Sequence, residues 1–430
     1  MASEGVRQRA HKPNGQGTKV MDEKCERDDE PHPGGAIKHG AWEQALRIAL
    51  FGLYYVGSCV SIHLSQILGS WLYFYDQEWY YAFMALTKQH FGILVVTMQQ
   101  WWSPIKMRVS WDKSVRGQIR QTEDGRLETD FPERMVLIAN HQIYSDWLYL
   151  WWIAYTARLH GHLYIILKES LKWIPLIGPA MQFYSFIFLS RKWETDKPRI
   201  AHRLQKLNMT HPGPGGKRHL SPMWLLIFPE GTNASENGRK KSKSWADKTG
   251  IEDARHVLLP RSTGLQFCLE ELHETVDYIY DCTMAYEGVG RSEYAQDIYT
   301  LYGLYFQGRR PKSVNLHWRR FLISEVPFND TEKFNAWILE RWREKDEMIE
   351  QYLNTGRFPA DNYEDEPKMN GHAPGKETTS KKQGRFIETE VKPVNRIEFL
   401  QMFVPWLAVA LAFNVLFKLW RMLKVLMFWR

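Results

Sequence analysis

The chain has 430 residues, 24% of them charged and 14% aromatic, with 19 Trp. That length calls for one large domain with appendages or for two domains, and the mixture suits a soluble-type body with amphipathic surfaces that touch lipid. A formal charge of +7, with basic residues spread among acids, argues against nucleic acid as a partner. The four cysteines, Cys25, Cys59, Cys268 and Cys282, show neither CxxC spacing nor a nearby His cluster, so they are expected as reduced, mostly buried thiols and not as a disulfide frame or metal site.

Residues 1–40 carry few large apolar side chains and are expected to form a disordered arm. Membrane-anchoring helices are expected over 41–110. Residues 48–75 contain no Asp, Glu, Lys or Arg, a length sufficient to cross a hydrocarbon core. The interruptions Gly57, Ser58, Ser61, His63, Ser65 and Gly69 keep a re-entrant hairpin open as the alternative to a span. No small-residue cleavage site closes this stretch, so a removable signal peptide is not expected. The run "FGILVVTMQQWWS" (91–103) is too short to span and ends in paired Trp near Lys106 and Arg108, which predicts an interfacial helix.

From about residue 133 to 325, short apolar runs such as "MVLIA", "LYIILK", "WLLIFP", "RHVLLP" and "YIYDCTMAY" alternate with helical patterns, which predicts an α/β domain, taken as 111–360. The segment "DTEKFNAWILERWREKDEMIEQYL" opens with capping residues and spaces Phe334, Ile338, Met348, Ile349 and Tyr352 along one face of an amphipathic helix. Residues 361–397 revert to a disordered composition. Residues 399–417 then carry no charged side chain and are followed by Lys418, Arg421, Lys424 and Arg430, so 398–430 is expected as a membrane helix with a basic edge.

Four strand ends carry chemistry. In "NHQIYSDW", His141 and Asp146 can meet only if a helix begins between them; Ser145 as N-cap would leave His141 in the loop, folded back on Asp146. A carboxylate behind an imidazole fixes its tautomer for general-base work, although a capped helix beside a satisfied loop histidine fits the same residues. "WLLIFPEGTN" places Glu230, Gly231, Thr232 and Asn233 where a buried strand leaves the sheet. "FIFLSR" ends at Arg191, suited to bidentate contact with phosphate or to a plain surface role. "HVLLPRSTG" presents Pro260, Arg261, Ser262 and Thr263 after what reads as another strand. Between them, "NGRKKSKSWADK" (237–248) suits an anionic lipid surface, a phosphate-bearing substrate or a solvated loop. No G-x-S-x-G, HExxH or phosphate-binding glycine loop occurs.

Taken in chain order, with "FIFLSR" second and "WLLIFPEGTN" third, the four motifs resemble the PlsC-type glycerolipid acyltransferases. "YDCTMAYEG", "RRPKSVNLHWRRF" and "ERWREKDEMIEQYLNTGRFP" look like the eukaryotic branch with lysocardiolipin and lysophosphatidylinositol acyltransferases. The resemblance covers residues 45–360. It implies a mixed, largely parallel sheet flanked by helices, with His141 as general base and Asp146 as its orienter. Arg191 would hold the acceptor phosphate, Glu230 and Gly231 would position the acceptor, and Arg261 would contact a phosphate; Asn140, Thr232 and Pro260 join the acceptor-binding set. Acyl-CoA would be a co-substrate, with no bound cofactor and no metal, and a lysophospholipid such as lysophosphatidic acid or lysophosphatidylinositol the acceptor. A CoA-independent transacylase of the tafazzin kind and an inactive lipid-binding protein remain as alternatives. The lipid bilayer is the expected partner and the endoplasmic reticulum the expected membrane. Basic residues after 417 place the C-terminus in the cytosol, and the "NAS" acceptor at Asn233 beside the site favours the cytosolic face for the body.

Overall fold

The run "MVLIA" becomes the middle of a sheet because its residues alternate between two apolar layers. Met135, Leu137 and Ala139 face one core, and Val136 and Ile138 face the other. A computed structural model describes residues 31–212, 218–359 and 386–428, and the elements below lie in the unit from Pro33 to Arg430.

The described strands are β1 (Lys106–Trp111), β2 (Ile119–Gln121), β3 (Leu127–Thr129), β4 (Arg134–Ala139), β5 (Leu163–Lys168), β6 (Ile187–Leu189), β7 (Thr210–Pro212), β8 (Arg218–Leu220), β9 (Met223–Ile227), β10 (Tyr278–Tyr286), β11 (Ser313–Leu322) and β12 (Ile387–Glu390). Eight form one sheet, in the order β12-β1-β11-β10-β4-β9-β5-β6. Its pairs are parallel except β1 with β12 and β10 with β11, so the expected mixed, largely parallel sheet is present. The described α-helices are α1 (Ala41–Gly69), α2 (Leu72–Tyr75), α3 (Gln77–Trp102), α4 (Asp146–Thr156), α5 (Ile177–Phe183), α6 (Trp193–Leu207), α7 (Glu236–Thr249), α8 (Ser262–Leu272), α9 (Ala295–Ile298), α10 (Thr331–Thr355) and α11 (Val404–Phe428). Residues of α3 and α4 line one core with Trp224, Tyr280 and Trp318, and residues of α6, α8 and α10 line the other.

Several boundaries differ from the sequence reading. Residues 91–103 are not interfacial: they form the buried end of α3, where Leu94 and Val96 are fully covered and Phe91 packs on Trp151 at 5.2 Å. An apolar run of this length serves a core helix as well as a membrane surface, and the aromatic face of α4 decides between them. The body starts before 111, since β1 lies inside the sheet. Residues 31–40, expected in the disordered arm, include Lys38, whose N–H donates to the Gln307 carbonyl at 2.9 Å; residues 1–30 lie outside the described residues. Of the linker expected over 361–397, residues 361–385 also lie outside, while β12 forms the sheet edge and pairs antiparallel with β1, where Lys106 and Arg108 bind Glu388 at 2.7 and 3.0 Å. Cys59, Cys268 and Cys282 are buried free thiols, as expected; Cys25 is not described.

"RHVLLP" is not a strand. Val257, Leu258 and Leu259 are buried, but the backbone has no sheet partner; the Asp346 carboxylate accepts the N–H groups of Arg255, His256 and Val257 at 3.0, 2.6 and 3.2 Å. A side chain thus takes over what a neighbouring strand would supply. The 237–248 segment is likewise no loop: it forms α7, capped by Ser235.

The segments Ala41–Tyr75 and Glu398–Lys424 are helical and long and apolar enough to cross a membrane. α1 runs unbroken through Gly57, Ser58, Ser61 and Ser65 and ends at Gly69, where Ser70 and Trp71 turn the chain into α2. Ser58, Ser61, Ser65 and Gly69 face the body, whereas Leu53, Val56, Val60, Leu64 and Leu68 point outward.

Asp346→Ala leaves three backbone donors without their acceptor, one of them on a buried residue. The variant should lose about 1–3 kcal/mol of stability and gain protease cleavage within 251–260, read by melting and limited proteolysis of the full chain; unchanged melting would refute the role given to Asp346.

Candidate functional site

The carboxyl ends of β4, β9 and β6 open on one side of the sheet, and the chain leaves each of them through a motif residue. At β4 the chain passes through Asn140 into a loop ended by α4. Asn140 does not join a binding cleft: its Nδ2 donates to the Met284 carbonyl at 3.0 Å and its Oδ1 accepts the Met284 N–H at 2.7 Å, so it stitches β4 to β10. Ser145 occupies the cap position of α4 without capping it. The cap is turned round instead, because Asp146, first residue of the helix and fully buried, reaches back into the loop.

The Asp146 carboxylate accepts the N–H groups of Gln142 and Ile143 at 2.5 and 3.0 Å and meets His141 Nδ1 at 2.8 Å, all on Oδ2, while Oδ1 accepts the Tyr286 hydroxyl. Burial and the adjacent carboxylate push the Tyr286 phenol well above its ordinary pKa, which keeps it a donor. With Nδ1 committed to the carboxylate, the Nε2 lone pair of His141 is the free basic position. The His141 side chain retains 20% exposure, and its ring stacks on Phe228 at 4.3 Å between centroids.

At the end of β9, Gly231 takes a left-handed conformation (φ 70°), which turns the chain after Glu230. Its carbonyl accepts the Arg191 guanidinium at 3.0 Å. The Arg261 N–H donates to the Pro229 carbonyl at 2.8 Å and brings the fourth motif alongside. Arg191 itself has φ 68°, an unfavourable conformation for a residue with a Cβ. Buried Asp196 at the start of α6 holds it by accepting the N–H groups on both sides, Ser190 at 2.8 Å and Lys192 at 3.2 Å.

Arg191, Glu230, Gly231, Thr232, Pro260 and Arg261 line one cleft of about 440 Å³, joined by Lys241 and Trp245 of α7. The structure thus brings together every acceptor-side residue expected from the sequence except Asn140. His141 stands beside this lining, tied to it by the Phe228 stack and by its carbonyl, which accepts the Ala234 N–H at 2.7 Å. Asn233 is buried and its amide donates to Gln296, so the "NAS" acceptor is not presented at the surface. Among the described residues no cluster of His, Cys, Asp and Glu is arranged to hold a metal ion.

Glu230 is almost fully buried. Burial pushes its carboxyl up to about 8, against the Trp342 indole N–H, which donates to Oε1 at 3.3 Å and pulls it down. Trp342 on α10 was not legible as a site residue, since a Trp at helical spacing reads as core; Tyr286 and Asp196 were hidden in the same way by distance along the chain. Together the site offers an imidazole fixed through Nδ1, a carboxyl whose pKa is raised to about 8, and cations suited to a phosphate.

The raised Glu230 pKa has a measurable sign. The folded state holds this proton from about pH 4.5 to 8 while the unfolded state does not, so the contribution is full below that window and is lost as pH rises through it. Glu230→Gln, which cannot ionise, should lose less stability than wild type between pH 5 and 8.5, by on the order of a few kcal/mol. Parallel melting curves for the two proteins across that range would contradict a buried, protonated Glu230.

Residues 118–287 match the family model described as acyltransferase, and residues 305–390 match the one described as acyltransferase C-terminus. An uncharacterized acyltransferase of Schizosaccharomyces pombe is 40% identical over 304 residues, covering 71% of this chain and 84% of that protein. The 2-acyl-1-lysophosphatidylinositol acyltransferase of Saccharomyces cerevisiae is 36% identical over 302 residues, 64% of this chain and 76% of its own. Lysocardiolipin acyltransferase 1 of Gallus gallus is 36% identical over 230 residues, 52% of this chain and 55% of that protein.

Proposed function

The chain belongs to the PlsC-type acyltransferase family, and from that membership we propose that it transfers a fatty acyl group from acyl-CoA to the free hydroxyl of an anionic lysophospholipid at a membrane surface. The observation that carries this reading is the His141 imidazole, fixed through Nδ1 by Asp146 at 2.8 Å, beside a cleft lined by Arg191, Arg261 and Lys241.

The acceptor phosphate sits among those three cations, with the guanidinium groups giving forked contacts. His141 Nε2 takes the hydroxyl proton as the oxygen attacks the thioester carbonyl. The C–S bond breaks, CoA leaves as the thiolate, and the proton held on the imidazole passes to it or to water. Glu230, protonated near neutral pH, lines the acceptor side and donates to an anionic oxygen there. General-base assistance of this kind contributes about 10²–10⁴-fold. The inositol headgroup named for the yeast relative makes lysophosphatidylinositol the first acceptor to test, with lysophosphatidic acid next.

We place the protein in the endoplasmic reticulum membrane with its body on the cytosolic face, where acyl-CoA is available. α3 is largely buried in the body from Met84 to its end, so α1 and α3 form a hairpin that need not carry the chain across. Protease treatment of intact microsomes should degrade the body; full protection would overturn the cytosolic assignment.

His141→Ala should lower turnover by about 10²–10⁴-fold while the protein stays folded, since Asp146 keeps its bonds to the Gln142 and Ile143 N–H groups and to Tyr286; the lost bond costs about 1–3 kcal/mol. Arg191→Lys keeps the charge but loses the fork, so KM for the lysophospholipid should rise more than kcat falls. With acyl-CoA and acceptor, one thiol should appear per phospholipid formed. Equal product from a diacyl donor without acyl-CoA would establish the transacylase reading instead.

A further inference from the structure

Lys88 is anomalous. It lies in the middle of α3, is almost fully buried, and has no carboxylate within ion-pair distance among the described residues. Its Nζ donates to the Leu163 carbonyl at 3.2 Å and sits 3.6 Å from the Tyr164 ring centroid. Buried ammonium groups are ordinarily paired, because desolvation of an isolated charge costs more than one carbonyl and one ring return. Burial holds this ammonium well below the usual lysine pKa, a cost that an incoming anion would offset.

The side chain lines a cleft of about 60 Å³ that also takes in Tyr81, Arg203, Lys206 and His211. At roughly 10–15 Å³ per water, that is room for about four to six waters, enough for one phosphate group. Arg203 and Lys206 lie one turn apart on α6, and their side chains show no hydrogen bond or ion pair among the described residues; none of the described residues lining the cleft is acidic. Glu78 lies nearby, 3.4 Å from His211. The cleft shares no lining residue with the one beside His141.

Its surroundings indicate where the anion comes from. Tyr81 stacks edge-on to Tyr80 at 5.2 Å, Tyr80 to Tyr73 at 5.3 Å, and Tyr73 to Phe74 at 5.8 Å. That chain of rings leads to exposed Trp71, Phe74, Tyr75 and Trp79 around α2. Exposed Trp and Tyr in such a cluster are suited to a bilayer interface, at the depth of lipid headgroups.

We propose that Lys88, Arg203 and Lys206 form a second, non-catalytic site for the phosphate of an anionic phospholipid headgroup, which seats the body on negatively charged membranes. It does not depend on the reaction assigned above.

The test uses the full chain in detergent and ligand-induced thermal shift with three probes: dioctanoyl phosphatidic acid, dioctanoyl phosphatidylcholine and inorganic phosphate. Arg191→Gln/Arg261→Gln silences the cleft beside His141 and should leave phosphatidic acid binding in place. In that background, Lys88→Met and, separately, Arg203→Gln/Lys206→Gln should each raise the half-saturating phosphatidic acid concentration about tenfold or more, as expected for lost charge-assisted hydrogen bonds. Phosphatidylcholine should bind more weakly than phosphatidic acid. If Lys88→Met does not fold, the half-exposed α6 pair decides. Unchanged binding in the α6 pair overturns the site, and inorganic phosphate binding as tightly as phosphatidic acid overturns the lipid as its source. Acylation by Arg203→Gln/Lys206→Gln at saturating detergent-dispersed substrate should match wild type.

Discussion

The carboxylate of Asp146 is the constraint on which the site depends. It is fully buried, and a buried carboxylate is tolerated only when its lone pairs are satisfied. Here two loop N–H groups, an imidazole and a phenol satisfy them. The same bonds close the loop that carries His141, fix the imidazole with Nε2 free, and tie the start of α4 to β10 through Tyr286. A charge that would otherwise oppose folding becomes the point through which strand, loop and helix are held in one geometry.

The second support comes from α10, distant in sequence from every motif. Trp342, Lys345 and Asp346 share one helical face, since positions three and four apart are neighbours. Trp342 bonds Glu230 after β9, and Lys345 bonds the Cys282 carbonyl at 2.7 Å on β10. Asp346 holds the backbone of 255–257, which leads into Pro260 and Arg261. Lys345 is buried, with Asp281 as its ion-pair partner and Arg319 bound to that same carboxylate at 2.8 Å. Breaking a buried pair of this kind leaves an unpaired charge, so the helix has little freedom to shift. One rigid element thus sets the positions of three segments around the cleft.

What the sequence made legible follows from the range of the interactions. The His141 and Asp146 pair was readable because its spacing and the helix start are local, and the sheet because alternating apolar runs carry their own period. Where an assignment depended on what a segment packs against, sequence reasoning failed. The 91–103 run is core because α4 supplies an aromatic face, and 255–260 is not a strand because Asp346, 86 residues beyond Pro260 in the numbering, satisfies its backbone. Asn140 looked like a binding residue for want of the knowledge that Met284 lies opposite it. The four residues of β12 were lost in a composition typical of linkers, although an edge strand needs only one partner to form.

The membrane assignment also gains from the fold, in a way composition could not provide. A helix on a water-exposed surface turns polar residues outward; α1 instead presents Leu53, Val56, Val60 and Leu64 outward, while Ser58, Ser61 and Ser65 pack against the body beside Cys59 and Ile62. The Ser61 hydroxyl donates to the Met402 carbonyl at 2.7 Å and that of Ser65 to the Ser61 carbonyl at 2.8 Å, so these two inward hydroxyls are satisfied. Small residues allow close helix contact where the driving force is packing and not escape from water, which is the regime of a bilayer. Met402 lies in the turn that opens into α11, whose Leu407, Leu411 and Phe413 are likewise exposed. The two apolar surfaces therefore emerge from one contact between α1 and the start of the C-terminal helix, and a hydrocarbon environment is the solvent that suits both.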